Sequence, residues 1–172
     1  MRTLAEYPTE NGPHWLVEFK NLDEQLRKLR SWVTQFRAHP VIRALALKII
    51  HEAGSPMRDK KAQAIAIGRW VRENIYYVHE LPERFQTPLE TLRKKSGDCD
   101  DFTTLTGALL ESIGIPSVMV VMEVNGKWAH IFPAARGRLG LIPLDGTNKF
   151  DIDVNPVTHA ISLGKAVRLK LA

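Results

Sequence analysis

Cys99, the only cysteine of the chain, lies in the segment Ser96-Gly97-Asp98-Cys99-Asp100-Asp101-Phe102, directly before a run of apolar residues with helical spacing. That run predicts a helix ending at Gly114, with the thiol at its N-terminus. A helix N-terminus carries partial positive charge and unsatisfied N–H groups, so it stabilises a thiolate and can hold an oxyanion. The segment therefore predicts a nucleophilic cysteine; the alternative interpretation is a small buried apolar residue.

Two residues further along the chain would complete such a site. His130 lies in the strand predicted after the Asn125-Gly126 turn, and Asp145 ends the strand that follows. A nucleophilic cysteine needs a base and a residue that orients the base, and neighbouring antiparallel strands can place an imidazole beside a carboxylate. Taken singly, His130 is a structural histidine and Asp145 a turn residue. Their order after the helix start favours a Cys99–His130–Asp145 triad.

Helices are predicted before these strands. Capping residues and apolar spacing indicate a helix from Asn21 to near His39, a second from Pro40 to Gly54, a third over about residues 59–76 and a fourth beginning at Thr87. In the third helix the residues predicted to face inward are Ala62, Ile65, Ala66, Trp70 and Val71. At the start of the chain, residues 3–7 and 15–19 are predicted to pair as a hairpin.

The remaining elements are strands. Residues 117–124 form a near-continuous apolar run, typical of a strand buried on both faces, and Asn125-Gly126 predicts a hairpin to residues 128–132. A third strand is predicted over residues 139–144 and an edge strand over residues 166–171. The fold class is α+β, with N-terminal helices packed on a short antiparallel sheet. One domain is expected over residues 1–172: an N-terminal hairpin and helices (1–57), a catalytic core (58–150) and a C-terminal extension (151–172).

Composition excludes several classes of protein. One cysteine among 172 residues rules out an intrachain disulfide and a multi-cysteine metal site. No apolar run approaches the ~18–20 residues that span a bilayer, and no secretory signal is visible at the start, so a cytoplasmic location is expected. A net charge of +5 is too small to indicate a nucleic-acid partner. The basic stretch around Trp32 and Phe36 is interpreted as a solvated helix face beside core aromatics.

The stretch from Trp70 to Asp145 resembles the transglutaminase-like superfamily of papain-type thiol enzymes. The similar pieces are Trp70-Val71-Arg72-Glu73-Asn74-Ile75-Tyr76-Tyr77, Gln86-Thr87-Pro88-Leu89-Glu90-Thr91-Leu92, Gly97-Asp98-Cys99-Asp100-Asp101, Gly114-Ile115-Pro116, Ala129-His130 and Leu144-Asp145-Gly146-Thr147. The Gly-Asp-Cys-Asp-Asp form is similar to bacterial transglutaminase-like cysteine proteinases, especially small proteins of tailed bacteriophages and prophages. Many members carry a tryptophan just after the histidine, where this chain has Ile131-Phe132-Pro133.

The resemblance implies a papain-like fold with Cys99 as nucleophile, His130 as general base and acid, and Asp145 orienting the imidazole. The implied function is thiol-dependent acyl transfer, most simply peptide or amide hydrolysis of a protein or peptide substrate, in the bacterial host cytoplasm or in a phage particle. One alternative is a non-catalytic virion or assembly component that binds other phage structural proteins. A second alternative is protein transamidation, because both reactions share the acyl-enzyme.

Two features around the thiol leave alternatives open. A second oxyanion donor could come from the Gln86 amide or the Tyr77 phenol. Carboxylates beside the cysteine oppose formation of the thiolate. Asp98, Asp100 and Asp101 either cap the helix through its backbone N–H groups or, for Asp98 and Asp100, bind calcium, a hard cation that prefers oxygen ligands. No other cofactor is expected. His79 is an alternative base, ranked behind His130.

Overall fold

Helices precede an antiparallel sheet in the computed structural model, which describes residues 2–7, 14–18, 21–78, 85–147, 151–152, 154–158 and 167–172. The elements are β1 (Arg2–Tyr7), β2 (His14–Glu18), α1 (Leu22–Phe36), α2 (Pro40–Glu52), α3 (Lys60–Asn74), β3 (Tyr76–Tyr77), α4 (Pro88–Lys94), β4 (Ser96–Gly97), α5 (Cys99–Ser112), β5 (Ser117–Val124), β6 (Lys127–Gly137), β7 (Gly140–Pro143) and β8 (Val167–Leu171). This order confirms the predicted α+β class. Over the described residues, every helix is too short or too polar to cross a membrane.

The N-terminal elements follow their local signals. β1 and β2 form the predicted antiparallel hairpin, with Tyr7 opposite His14. Asn21 Oδ1 accepts a hydrogen bond from Glu24 N (3.0 Å), so the cap fixes the start of α1 as expected. α1 ends at Phe36, three residues before the predicted end, and α2 then begins at Pro40.

The predicted inward face of α3 is confirmed in part. Val71 is buried, and Ile65, Ala66 and Trp70 pack against the core while only partly buried. Ala62 is also only partly buried, and the other buried residues are Gln63, Ala64, Ile67 and Gly68. Gly68 allows a close approach on the most buried side, because a Cβ there would lie 2.8 Å from Ile152 Cγ1 and 3.2 Å from Leu144 Cδ2. The helix therefore approaches the end of the sheet at Gly68. The residues that it meets there, Leu144 and Ile152, are distant from it in sequence.

α5 is the central helix of the domain. The sequence predicts one apolar face for it, whereas nearly all of its residues after Cys99 are buried. It packs against the other helices and against β6. α1 approaches it closely, because a Cβ at Gly107 would lie 3.1 Å from Val33 Cγ2. The helix that carries the cysteine is thus held on several sides by the core.

The sheet has the strand order β7-β6-β5-β8. Asn125 and Gly126 both have positive φ angles (51° and 78°), as the tight turn of the predicted β5–β6 hairpin requires. β6 continues to Gly137, beyond its predicted end at Phe132. β8 pairs antiparallel with β5 and is the predicted edge strand.

A short parallel pair of strands escapes sequence-based prediction. β3 lies beside β4, with Tyr76 opposite Ser96 and Tyr77 opposite Gly97. Tyr76 N donates to Lys95 O (2.8 Å) and Val78 N donates to Gly97 O (2.9 Å). The pair therefore places Tyr77 beside the segment that leads into Cys99. Most of the predicted polar loop over residues 80–86 lies outside the described residues, as does His79.

Candidate active site

Cys99 is the first residue of α5 and is half-buried. Asp98 occupies the N-cap position but its side chain makes no capping hydrogen bond, so the expectation that it caps the helix is wrong. Asp100 Oδ1 does accept a backbone hydrogen bond, from Asp101 N at 3.0 Å. Thr103 Oγ1 donates to Cys99 O (2.7 Å), which ties the residue to the next helical turn. The thiol thus lies at the N-terminal end of a well-anchored helix.

The structure brings His130 and Asp145 together. His130 Nε2 lies 2.7 Å from Asp145 Oδ2, and the carboxylate is only 1% exposed. The imidazole ring stacks on Phe132, with ring centroids 5.9 Å apart and planes at 25°. Since Nε2–H donates to the carboxylate, Nδ1 is the ring nitrogen left to act as a base. The aromatic neighbour and the carboxylate together orient the imidazole.

Thr147 belongs to this arrangement, although sequence reasoning gave it no separate role. Its backbone N and its Oγ1 both donate to Asp145 Oδ1, at 3.0 and 2.7 Å, while His130 occupies the other carboxylate oxygen. Its Oγ1 also lies 3.4 Å from His130 Nε2. The available signal was the Asp-Gly-Thr spacing, because an aspartate often accepts hydrogen bonds from residues two positions onward.

These contacts keep Asp145 ionised. Burial by itself raises the pKa of Asp145, but the hydrogen bond and charge of His130, together with two hydrogen bonds from Thr147, hold that pKa below its ordinary value. A carboxylate that stays negative stabilises a positively charged imidazolium beside it. The pair can therefore hold a proton on His130 once a thiol has given one up.

Phe102 joins the two halves of the site. Its ring, on the first turn of α5, meets the Tyr77 ring edge-on with centroids 6.2 Å apart. A Cβ at Gly146 would lie 3.1 Å from Phe102 Cδ1, so the chain just after Asp145 also packs on this ring. The helix start, β3 and the chain that follows the sheet consequently converge around Phe102, three residues after Cys99.

Tyr77 faces the acidic and thiol groups of this junction. Its pKa is raised by partial burial first, and then by the nearby charges of Cys99, Asp98, Asp145 and Asp100. The phenol is therefore protonated at neutral pH, and its hydroxyl is a hydrogen-bond donor. The ring contact with Phe102 and the pairing of Tyr77 with Gly97 place this residue beside the start of α5.

Gln86 has a different role from the one predicted. Its side chain is 1% exposed, and Nε2 donates to Asp101 Oδ2 (2.6 Å) and to Ser96 O (3.1 Å). Both amide hydrogens are therefore engaged, and neither is free for an oxyanion. Gln86 N also donates to Asp101 Oδ1 (2.9 Å). Gln86 therefore stabilises the first turn of α5 through Asp101. Tyr77 remains the candidate side-chain donor to an oxyanion.

Comparison with known protein families identifies the family of the chain. The model of the transglutaminase-like domain matches residues 45–136, just over half of the chain. The chain belongs to this transglutaminase-like family. The matched segment includes Cys99 and His130, and Asp145 follows soon after it.

Relatives of this transglutaminase-like chain are distant or much longer. The UPF0252 protein MJ1282 of Methanocaldococcus jannaschii is 38% identical over 63 aligned residues, and the match covers 31% of this chain and 18% of that protein. The chain therefore spans less than a fifth of that relative. Two crystal structures are similar in fold: a “putative protease” from Parabacteroides distasonis (TM-score 0.57, 13% identity, 79% of this chain and 29% of that one) and a “putative cysteine protease” from Cytophaga hutchinsonii (TM-score 0.56, 16% identity, 94% and 61%).

The carboxylates beside the nucleophile of this transglutaminase-like domain form a buried cluster. Ligand oxygens of Asp98, Asp100 and Asp101 lie within 4.8 Å of one another. Asp101 already accepts two hydrogen bonds from Gln86, whereas Asp98 Oδ1 is buried and accepts none from the described residues. Oxygen ligands at this spacing suit a hard cation such as calcium. Asp98 and Asp100 are the carboxylates that could hold such an ion, because Asp101 is engaged by Gln86.

Proposed function

We propose that the protein is a thiol-dependent acyl-transfer enzyme that hydrolyses peptide or amide bonds. The observation that carries the proposal is the part-buried 2.7 Å contact between His130 and Asp145, on the sheet that packs against the helix beginning at Cys99. Membership of the transglutaminase-like family supports it. The similar fold of a protein described as a “putative cysteine protease” supports it further.

The first half of the reaction forms an acyl-enzyme. Cys99 Sγ attacks the substrate carbonyl carbon, and His130 Nδ1 takes the thiol proton while Nε2–H remains hydrogen-bonded to Asp145. The tetrahedral intermediate collapses as the C–N bond breaks, and His130 gives its proton to the leaving amine. The product is a thioester between the substrate acyl group and Cys99. Asp145 stays ionised throughout and stabilises the transient imidazolium.

Water completes the cycle. His130 Nδ1 takes one proton from water as its oxygen attacks the thioester carbonyl, and the C–S bond then breaks to release the carboxylic acid. The imidazolium returns its proton to the Cys99 sulfur. In both halves the oxyanion would be held by backbone N–H groups at the start of α5 and by the Tyr77 hydroxyl. Tyr77 suits that role because a protonated phenol can donate a hydrogen bond and its ring packs against Phe102 on the first turn of α5.

The fate of the acyl-enzyme separates hydrolysis from transamidation. The purified chain is incubated with a peptide p-nitrophenyl ester and a labelled primary amine, and mass spectrometry follows the acyl group. Hydrolysis predicts a thioester on Cys99 that is converted mainly to free acid, and no adduct in Cys99→Ala. Label incorporation that outruns acid formation would favour transamidation. Absence of any adduct on Cys99 would contradict acyl transfer altogether.

The place of action remains a proposal drawn from the sequence resemblance. A phage- or prophage-encoded enzyme would be expected in the host cytoplasm or in the particle. Co-purification of the chain with particles would support the second location. Normal infectivity of a phage carrying Cys99→Ala would favour the alternative of a non-catalytic assembly component.

A further inference from the structure

A basic cavity lies at the opposite end of β6 from His130. Its volume is about 520 Å³, and it is enclosed by the N-terminus of α3 and by the turn between β6 and β7. Its basic side chains are Arg58, Lys60, Lys61, Arg136 and Arg138. Arg136 follows His130 by six positions on β6, which corresponds to roughly 20 Å along an extended strand. The cavity is therefore separate from the candidate active site.

The charge of this basic cavity is poorly balanced. Asp59 is the one carboxylate in its lining, and Asp59 Oδ1 already accepts a hydrogen bond from Ala62 N at the start of α3 (2.9 Å). Five cations and one carboxylate leave +4, against a net charge of +5 for the whole chain. Most of the net positive charge of the protein is thus gathered in one concave region.

Among these five basic side chains, Lys60 makes hydrogen bonds that stabilise the fold. Lys60 Nζ donates to Gln63 Oε1 (3.3 Å) and to Ile113 O (3.2 Å), so it serves the C-terminal end of α5. Arg58, Lys61, Arg136 and Arg138 are exposed, and within the described part of the chain none of the four pairs with a carboxylate. Four like charges held close together repel one another, and an anionic partner would remove that repulsion.

The lining indicates what kind of anion fits. Beneath the cations lie the aliphatic side chains of Ile115, Ala135 and Ile142, and Leu139 and Leu141 are exposed beside them. No aromatic side chain lines the cavity among the described residues, so bases of a single-stranded nucleic acid have no stacking platform there. Aliphatic and cationic groups together suit a peptide that alternates acidic and aliphatic residues.

We propose that this basic cavity binds an acidic, leucine-containing peptide segment of another protein. Carboxylates of the segment would pair with Arg58, Lys61, Arg136 and Arg138, and its aliphatic side chains would pack on Ile115 and Ile142. Binding requires neither Cys99 nor His130. For an enzyme that cleaves proteins, such a surface would hold a substrate away from the scissile bond.

Fluorescence anisotropy of a labelled Glu/Leu peptide titrated with the full chain tests the proposal, in Cys99→Ala as well as in the native protein. The double variant Lys61→Glu/Arg138→Glu should weaken binding at least about tenfold, because it reverses charges that the peptide contacts. Lys61 lies in the first turn of α3, where a negative charge favours the helix, so the substitution is compatible with the fold. Circular dichroism verifies that the variant is folded.

A matched control separates the cavity from the overall charge. Arg69→Glu/Lys127→Glu changes the net charge by the same amount at two exposed positions outside the cavity that likewise pair with no carboxylate among the described residues, and should weaken binding less than about twofold. Equal losses in both double variants would overturn the proposal, as would absence of binding at about 50 mM salt, where charges are weakly screened. Tighter binding of a labelled oligonucleotide than of the peptide would also overturn it. Binding that is intact in Cys99→Ala separates this result from any failure of catalysis.

Discussion

Replacing Thr147 by valine should weaken both the fold and the orientation of the imidazole. Thr147 Oγ1 donates to Asp145 Oδ1 at 2.7 Å, and the backbone N–H of the same residue donates at 3.0 Å. Valine has nearly the same shape but removes the hydroxyl donor. Asp145 is buried, so water cannot easily replace the missing hydrogen bond. Loss of a hydrogen bond to a charged, buried group costs about 1.5–3 kcal/mol.

The pH dependence of this loss identifies its cause. The folded-state pKa of Asp145 lies below its ordinary value, which is about 3.9 in an unfolded chain. Its stabilising contribution is therefore complete above that value and is lost as the pH falls through the folded-state pKa. Valine removes a hydrogen bond to the carboxylate and so raises the folded-state pKa of Asp145. The difference in free energy of unfolding between the native protein and the variant should therefore be constant above about pH 5 and should shrink below about pH 4.

Urea unfolding of the native protein, Thr147→Val and Thr147→Ser at a series of pH values measures this difference. Serine keeps the hydroxyl and should recover most of the lost stability and of the Cys99 reactivity. If valine and serine behave alike, or if the valine variant loses the same stability at acidic and neutral pH, the hydrogen bond to Asp145 is not the cause.

Three further variants or conditions test other parts of the site. Gly97→Ala should destabilise the fold by about 1–3 kcal/mol in urea unfolding, because a Cβ there would lie 2.6 Å from Asp101 Cβ; native-like stability would mean that the first turn of α5 can move. Tyr77→Phe should lower kcat for ester hydrolysis by about 10²–10³-fold with little change in KM, whereas an unchanged kcat would remove the phenol from the oxyanion site. Calorimetric titration should show calcium binding that is lost in Asp98→Asn; absence of heat in the native protein would leave a site without a metal.

Local signals in the sequence were sufficient for much of the fold. The caps at Asn21 and Asp59 and the proline at Pro40 fix helix starts through contacts within a few residues, and Asn125-Gly126 fixes a turn through its backbone angles. Because these interactions join residues close together in sequence, a short segment is enough to predict them. The element order that follows from them was enough to predict an α+β fold.

Contacts between distant segments were not predictable in the same way. The close approach of α3 to the chain beyond the sheet depends on Gly68 meeting Leu144 and Ile152. β3 and β4 have two residues each, too few to show any periodicity. Both features depend on contacts between segments distant in sequence, and the spacing of residues within one segment does not predict such contacts.

Within the candidate site, residue types were predictable but their roles were less so. The order of Cys99, His130 and Asp145 along the chain was enough to predict that they form one site. In the structure His130 and Asp145 are in contact. The Gln86 amide was a plausible donor by type, yet its two hydrogens are engaged by Asp101 Oδ2 and Ser96 O. Thr147 acts through Asp145, and the hydroxyl of a threonine gives no distinctive signal in one sequence.

The most direct test of a thiolate–imidazolium pair is the rate of iodoacetamide alkylation of Cys99 as a function of pH, in the native protein and in His130→Ala. Because Cys99 is the only cysteine, every alkylation event reports on this site. The proposed mechanism predicts a reactivity plateau that extends well below the free-thiol pKa of ~8.5 and is lost in His130→Ala. A thiol that does not react, or that titrates as a free thiol in both proteins, would contradict it.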